Sequence, residues 1–202
     1  MQDPNSVPPL NVAPRQADHE IDDVILNRWC SRAMTGDSVP ELLLFKLFEA
    51  ARWAPSSFNN QGWRFLYTQR ERNDWPDFLN LLTEWNRSWC ERAGALIIVL
   101  SMKTFSHDGT PNPTHSLDTG MAVQNLLLQA THLGVVVHPL AGFDHELARE
   151  TLKIPDDVHI ECMIAVGIAG KHELLPSKLL AREVRSRRKP ISEIVRSGKY
   201  TF

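Results

Sequence analysis

Four short apolar runs punctuate the chain: WRFLYT from Trp63, ALIIVLS from Ala95, VVVHPL from Val135 and IECMIAVGIAG from Ile160. Runs of this length, rich in Val, Ile and aromatic residues, read as strands, and the segments between them carry helical periodicity. Strands alternating with helices ordinarily suggest a doubly wound nucleotide-binding sheet. The glycines argue against the usual version. None of the 10 lies in a G-x-G-x-x-G or G-x-x-x-x-G-K-[ST] pattern, so neither backbone phosphate cradle is present. A phosphate ligand would have to be held by side chains.

The helical segments have readable ends. In SVPELLLFKLFEAARWAPSS, Ser38 and Glu41 have capping-box spacing and Pro40 lies in the first turn. PDFLNLLTEWNRSWCERAG keeps helical spacing through Phe78, Leu81, Leu82 and Trp85, so Trp75, Trp85 and Trp89 read as core residues. HSLDTGMAVQNLLLQATHLG is a long helix, apolar almost all round and stopped by Gly134, where glycine supplies a left-handed conformation at little cost. DHELARETLKI is a short helix opened by Asp144, and the pair Asp22–Asp23 favours the start of the first helix.

Residues 1–20 contain four prolines and little apolar content, which predicts a flexible extension followed by a single domain over 21–202. A chain of 202 residues buries roughly 70% of its unfolded surface, enough for one sizeable core. Its net charge of −2 gathers neither nucleic acid nor anionic lipid over a whole face. The first twenty residues lack the apolar core of a secretory signal, and no run approaches membrane-spanning length. Cys30, Cys90 and Cys162 are widely spaced and odd in number, which favours reduced thiols and a cytoplasmic setting over disulfides or a zinc site. Eight histidines form no H-E-x-x-H, and no G-x-S-x-G marks a nucleophile. The sequence therefore offers no metal site and no side-chain nucleophile.

Two basic clusters remain. Arg28 and Arg32 stand four apart near the start of the ordered region, on one face if that segment is helical. Arg182, Arg185, Arg187, Arg188 and Lys189 stand near the end. Either cluster alone reads as a solvated face. Together they bracket a middle rich in neutral hydrogen-bonding groups, notably WAPSSFNNQGWRF from Trp53.

Five segments, in order from about Ile21 to the C-terminus, carry a resemblance. RWCSR is like R-x-S-x-[RK]; WAPSSFNNQGWRF is like [WS]-x-P-S-x-x-N-x-Q-P-W-x-F; DTGMAVQNLLLQATHLG is like a long central helix. PLAGFD is like P-x-x-G-F, and RRKPISEIV is like R-[KR]-P-L-x-E-[IV]-V. On these segments the chain resembles the nitroreductase family of FMN-dependent NAD(P)H oxidoreductases. The resemblance implies an α+β fold with a mostly antiparallel central sheet flanked by helices. It also implies an intertwined homodimer with an extended C-terminal arm and two FMN sites at the interface.

By the same resemblance, Arg28, Arg32 and Arg188 grip the FMN phosphate, assisted by Arg185 or Arg187, and arginine's planar fork suits a dianion. Trp29 and Cys30 lie between the first two. Pro55, Ser56 and Ser57 contact the flavin from the second subunit with Asn59 beside them, while Gln61, Trp63 and Phe65 support that loop. Pro139, Ala141 and Gly142 lie beside the ring, where a backbone N–H can face flavin N5. Asn86 aligns with an asparagine that touches the pyrimidine edge in some relatives. The implied reaction is ping-pong hydride transfer from NAD(P)H through the flavin to a nitroaromatic, quinone or related small acceptor, with no catalytic side chain.

Three departures stand out. Cys30 replaces the usual phosphate-binding serine, which weakens a donor or lets Trp29 reshape the pocket. Gly62 replaces the proline of Q-P-W, and Ala141 replaces an acidic residue. The short loop KTFSHDGTPNPT leaves the flavin face more open, or differently covered, than in relatives with helical insertions there. An FMN-binding carrier or partner subunit with little turnover is the alternative function. A nucleic-acid binder with a basic tail is the weaker third reading.

Overall fold

The run ALIIVLS becomes β2 (Ala95–Met102), buried along seven of its eight residues. That burial follows from its position inside a four-stranded sheet ordered β1-β2-β4-β3, with β1 at Trp63–Gln69, β3 at Val135–Leu140 and β4 at Val158–Ile168. Every neighbouring pair is antiparallel. The computed structural model describes residues 15–202; most of the extension expected over 1–20 lies outside the described residues.

Side chains alternate across β2, as the strand period requires. Leu96, Ile98 and Leu100 join one core; Ala95, Ile97 and Val99 join the other. Helices α2 (Glu41–Arg52) and α5 (His115–His132) cover the second face with Leu44, Leu47, Ala122 and Leu126. The first face is covered by α3 (Trp75–Leu79), α4 (Glu84–Cys90), α6 (His145–Thr151) and the short α7 (Ser177–Leu180). This is the α+β fold expected from the motifs. Gly134 stops α5 with φ of 69°, and Asp144 caps α6 by accepting from the Leu147 N–H at 2.9 Å. Asp22 likewise caps α1 (Asp23–Asn27) through the Val24 N–H.

Three local expectations are corrected. The Ser38–Glu41 capping box does not form. Pro40 is the N-cap without a side-chain bond, and the Glu41 carboxylate accepts from the Tyr67 hydroxyl at 2.9 Å instead. The helix expected through Phe78, Leu82 and Trp85 breaks into α3 and α4. At the break the N–H of Thr83 donates to the carbonyl of Gly142, and the N–H of Asp144 to that of Leu81. Tertiary hydrogen bonds there replace a helical turn. Trp75 and Trp89 pack into the core, but Trp85 is 41% exposed beneath the guanidinium of Arg182.

The third correction concerns the first arginine pair. Helix α1 ends at Asn27, and Arg28 is already extended, so Arg28 and Arg32 do not share a helical face. The segment instead runs along the end of β4, with a bridge from Met34 to Ala169 and bonds from Thr35 N–H to Ile168 and from Gly170 N–H to Ala33. A Cβ on Gly170 would lie 2.7 Å from the Met34 backbone, so the close approach requires glycine.

Candidate functional site

The extended segment 28–33 is anchored by a residue the motifs did not single out. Glu183 is fully buried, and its Oε1 accepts from the Ser31 hydroxyl at 2.6 Å, the Arg32 N–H at 2.7 Å and the Ala33 N–H at 3.2 Å. The Arg32 guanidinium lies 3.5 Å from the other oxygen and 6.0 Å from the centre of the Trp89 ring. One carboxylate thus ties the opening segment to the start of the C-terminal arm and draws Arg32 inward.

Arg28 and the arm arginines have a different environment. Arg28 Nη1 lies 3.3 Å from Cys30 Sγ, and Arg185 stacks 5.5 Å from the ring centre of Trp29. Arg188 is exposed and bonds to Ser186. Arg15 Nη1 donates to the carbonyls of Leu26 at 3.0 Å and Arg28 at 2.6 Å. Burial, then the charges of Arg188, Arg28 and Arg185, hold the Arg15 pKa below its ordinary value. Among the described residues, no carboxylate forms an ion pair with Arg15, Arg28, Arg185 or Arg188. Four guanidinium groups with no ion-paired carboxylate among the described residues make a locally positive patch on a protein of net charge −2. Arg187 is exposed, with only its carbonyl engaged, by Arg188.

Beside this site, Asn86 and Gly142 meet. The Gly142 carbonyl accepts from Asn86 Nδ2 at 2.9 Å, from the Thr83 hydroxyl at 3.1 Å and from the Thr83 N–H at 3.1 Å. A Cβ on Gly142 would collide with the Asn86 amide. Pro139 is half-buried on β3 and Ala141 is exposed just beyond it. Between them and the opening segment, His138 bonds to the Ser31 carbonyl at 3.1 Å and packs 4.7 Å from the Trp89 ring. Burial, followed by Arg32, lowers its pKa, keeping the imidazole neutral.

Pro55, Ser56, Ser57 and Asn59 form a separate group after α2. Phe58, Asn59 and Gln61 all have positive φ, between 50° and 53°, in a region L-residues rarely occupy. Strain of this kind is costly unless the surroundings enforce it, and it clusters at binding sites. Here the enforcement is visible. Ser56 Oγ accepts from the Gln61 N–H at 2.9 Å, the buried Asp118 accepts from the Ser57 N–H at 3.3 Å, and Asn60 Oδ1 accepts from the Ser106 N–H at 2.8 Å. Trp63 is buried at the start of β1, and Phe65 packs on Phe48 of α2.

The predicted residues therefore fall into two groups. Arg28, Trp29, Cys30, Arg32, Asn86, Ala141, Gly142, Arg185 and Arg188 gather at the face covered by α4 and α7, whereas Pro139 alternates on β3 with Val135 and Val137, which pack on the α2–α5 side. The Pro55–Asn59 loop follows α2 on the opposite face, and no hydrogen bond or ion pair among the described residues joins the two. Sequence reading missed Arg15, Asp118 and Glu183. Arg15 lay in a proline-rich stretch, and Glu183 was masked by the basic residues around it. Asp118 is a first-turn acid of α5, a position that ordinarily needs no explanation beyond the helix dipole.

This arrangement is an α+β protein in which arginines from the first and last described segments meet. The Nitroreductase family model matches residues 25–168, and the chain belongs to that family. Protein DrgA of Synechocystis sp. is 32% identical over 149 residues, covering 60% of this chain and 70% of that protein. The oxygen-insensitive NADPH nitroreductase of Helicobacter acinonychis is 27% identical over 124 residues, 61% of this chain and 54% of that protein. A crystal structure described as the oxidoreductase containing FMN superposes with a TM-score of 0.90 at 37% identity, covering 95% of this chain and 99% of that one.

Proposed function

We propose that this protein is an FMN-dependent oxidoreductase that draws electrons from NAD(P)H and delivers them to a small acceptor such as a nitroaromatic or a quinone. The observation that carries the reading is the cluster of Arg28, Arg185 and Arg188, without a carboxylate partner among the described residues, beside the Asn86–Gly142 joint. Those residues fit FMN. Unpaired guanidinium groups suit its dianionic phosphate, and Asn86 with the Pro139–Gly142 backbone offers donors and acceptors beside an apolar strand end. Bound FMN supplies two-electron hydride chemistry at N5.

The chain's own residues have distinct tasks. Arg28, Arg185 and Arg188 hold the phosphate, and Glu183 fixes the course of the segment that carries Arg28 and Arg32. The three donors on the Gly142 carbonyl hold the segment intended for the ring edge. Cys30 Sγ faces Arg28 and offers a weak donor where a hydroxyl would be stronger. The Pro55–Asn59 loop, on the other face of the same chain, would reach the flavin of a second copy. A homodimer is supported by exposed apolar residues around that loop and along the arm: Trp53, Phe58, Leu117, Ile194 and Val195 are each more than half exposed.

The visible spectrum of the purified protein, before and after anaerobic addition of NADH or NADPH, tests this reading. Flavin bands that bleach within seconds are expected. Bands that persist favour a binding protein with little turnover. A protein that stays colourless after incubation with FMN and gel filtration refutes the cofactor assignment.

A further inference from the structure

We propose that Arg15 is a phosphate-binding residue of the FMN site, carried on a strap, residues 15–18, that fastens the two ends of the chain over that site. The inference rests on the FMN reading above and adds a residue that neither the motifs nor the match over residues 25–168 includes.

Three hydrogen bonds fix the strap. At one end, Arg15 Nη1 donates to the carbonyls of Leu26 and Arg28, so its guanidinium is held against the backbone of a phosphate arginine. At the other, Asp18 Oδ2 accepts from the Ile191 N–H at 2.7 Å, tying the strap to the arm just beyond Arg188. The strap thus spans the interval between the two arginine groups.

The electrostatics give this placement a purpose. Arg15 sits close enough to Arg188, Arg28 and Arg185 for each of them to disfavour its charged form. Crowding four like charges is unfavourable unless something offsets them. No carboxylate among the described residues pairs with them. A dianionic phosphate beside them supplies that offset. Arginine at this position is therefore poorly explained as a plain structural strut, whose needs two backbone carbonyls would meet with a neutral donor.

The test compares FMN with riboflavin, which has the same ring and lacks the phosphate. Binding of each to the flavin-free protein is followed by quenching of flavin fluorescence, for the wild type, Arg15→Gln and Arg15→Lys. A lost charge-assisted hydrogen bond corresponds to weakening on the order of 10-fold or more. Arg15→Gln should lose FMN affinity by about that factor while riboflavin affinity changes less than about twofold, and Arg15→Lys should recover part of the loss. Equal losses for both ligands would assign Arg15 a structural role and overturn the proposal, as would no loss for either. If Arg15→Gln fails to fold, Arg15→Lys carries the same comparison, because it keeps the charge while losing the fork. A wild type that binds FMN no more tightly than riboflavin would instead sink the phosphate site itself, separating failure of the cofactor reading from failure of the role of Arg15.

Discussion

Replacing Glu183 by alanine strips a fully buried carboxylate from the segment that carries Arg28 and Arg32. The Ser31 hydroxyl and the Arg32 N–H lose their acceptor, and the Ala33 N–H keeps only its bond to Ser31 Oγ at 3.2 Å. Ser31 and Ala33 are buried, so water cannot readily replace the carboxylate. Each buried donor left unmet costs about 1–3 kcal/mol, and removing one partner of a buried ion pair costs about 3–5 kcal/mol. These costs overlap because one carboxylate serves all the partners, so about 3–5 kcal/mol is the expected loss of stability. For a chain of this size, about 2–4 °C per kcal/mol translates that into a melting temperature lowered by about 6–20 °C. Glu183→Gln, which keeps an acceptor and the volume, should lose less than half as much. The assay is thermal unfolding followed by circular dichroism, with protein concentration fixed and flavin removed, since ligand and association both shift the midpoint. A fall of less than about 3 °C in Glu183→Ala would refute the claim that this carboxylate holds the segment in place.

Asp118→Ala should free the Ser57 N–H and loosen the strained loop, lowering stability by about 1–3 kcal/mol in denaturant unfolding and speeding proteolytic cleavage between residues 55 and 61. Gly142→Ala should push the Asn86 amide off the Gly142 carbonyl, costing about 0.5–1.5 kcal/mol and weakening riboflavin as much as FMN, because the proposed flavin site puts this joint at the ring edge; selective loss of FMN would contradict that proposal. His138 is buried neutral with a lowered pKa. Below about pH 6.5 the unfolded chain therefore binds a proton that the folded chain does not, and stability falls as pH drops from there towards the folded value. His138→Asn should flatten that acid slope in denaturation midpoints measured across the pH range, and an unchanged slope would show that another group is responsible.

Much of the fold was legible because its signals are local. Gly134 and Asp144 end and begin helices by their own conformational and hydrogen-bonding preferences. The four apolar runs fall on the four strands, although β4 begins two residues earlier than its apolar run, at Val158. The misreadings share a cause. Ser38 and Glu41 have the spacing of a capping box, but Tyr67 on a distant strand takes the Glu41 carboxylate. Phe78, Leu82 and Trp85 keep helical spacing across a break made by the Gly142 segment, which lies about 60 residues away in the chain. Arg28 and Arg32 read as a helical pair, yet the end of β4 and Glu183 draw their segment into an extended course.

By itself, then, the order of residues determined the element types, the sheet-and-helix class, the lack of a glycine-built phosphate loop and the arginines available to replace one. Periodicity, caps and residue chemistry act over a few neighbours and survive without knowledge of the rest of the chain. Only the tertiary structure decided that Arg15 joins Arg28, Arg185 and Arg188, that Glu183 serves Arg32, and that the Pro55–Asn59 loop faces away from them. Those outcomes depend on charges and backbone groups brought together from opposite ends of the chain. Their energies arise from burial and proximity, which no short stretch of sequence contains.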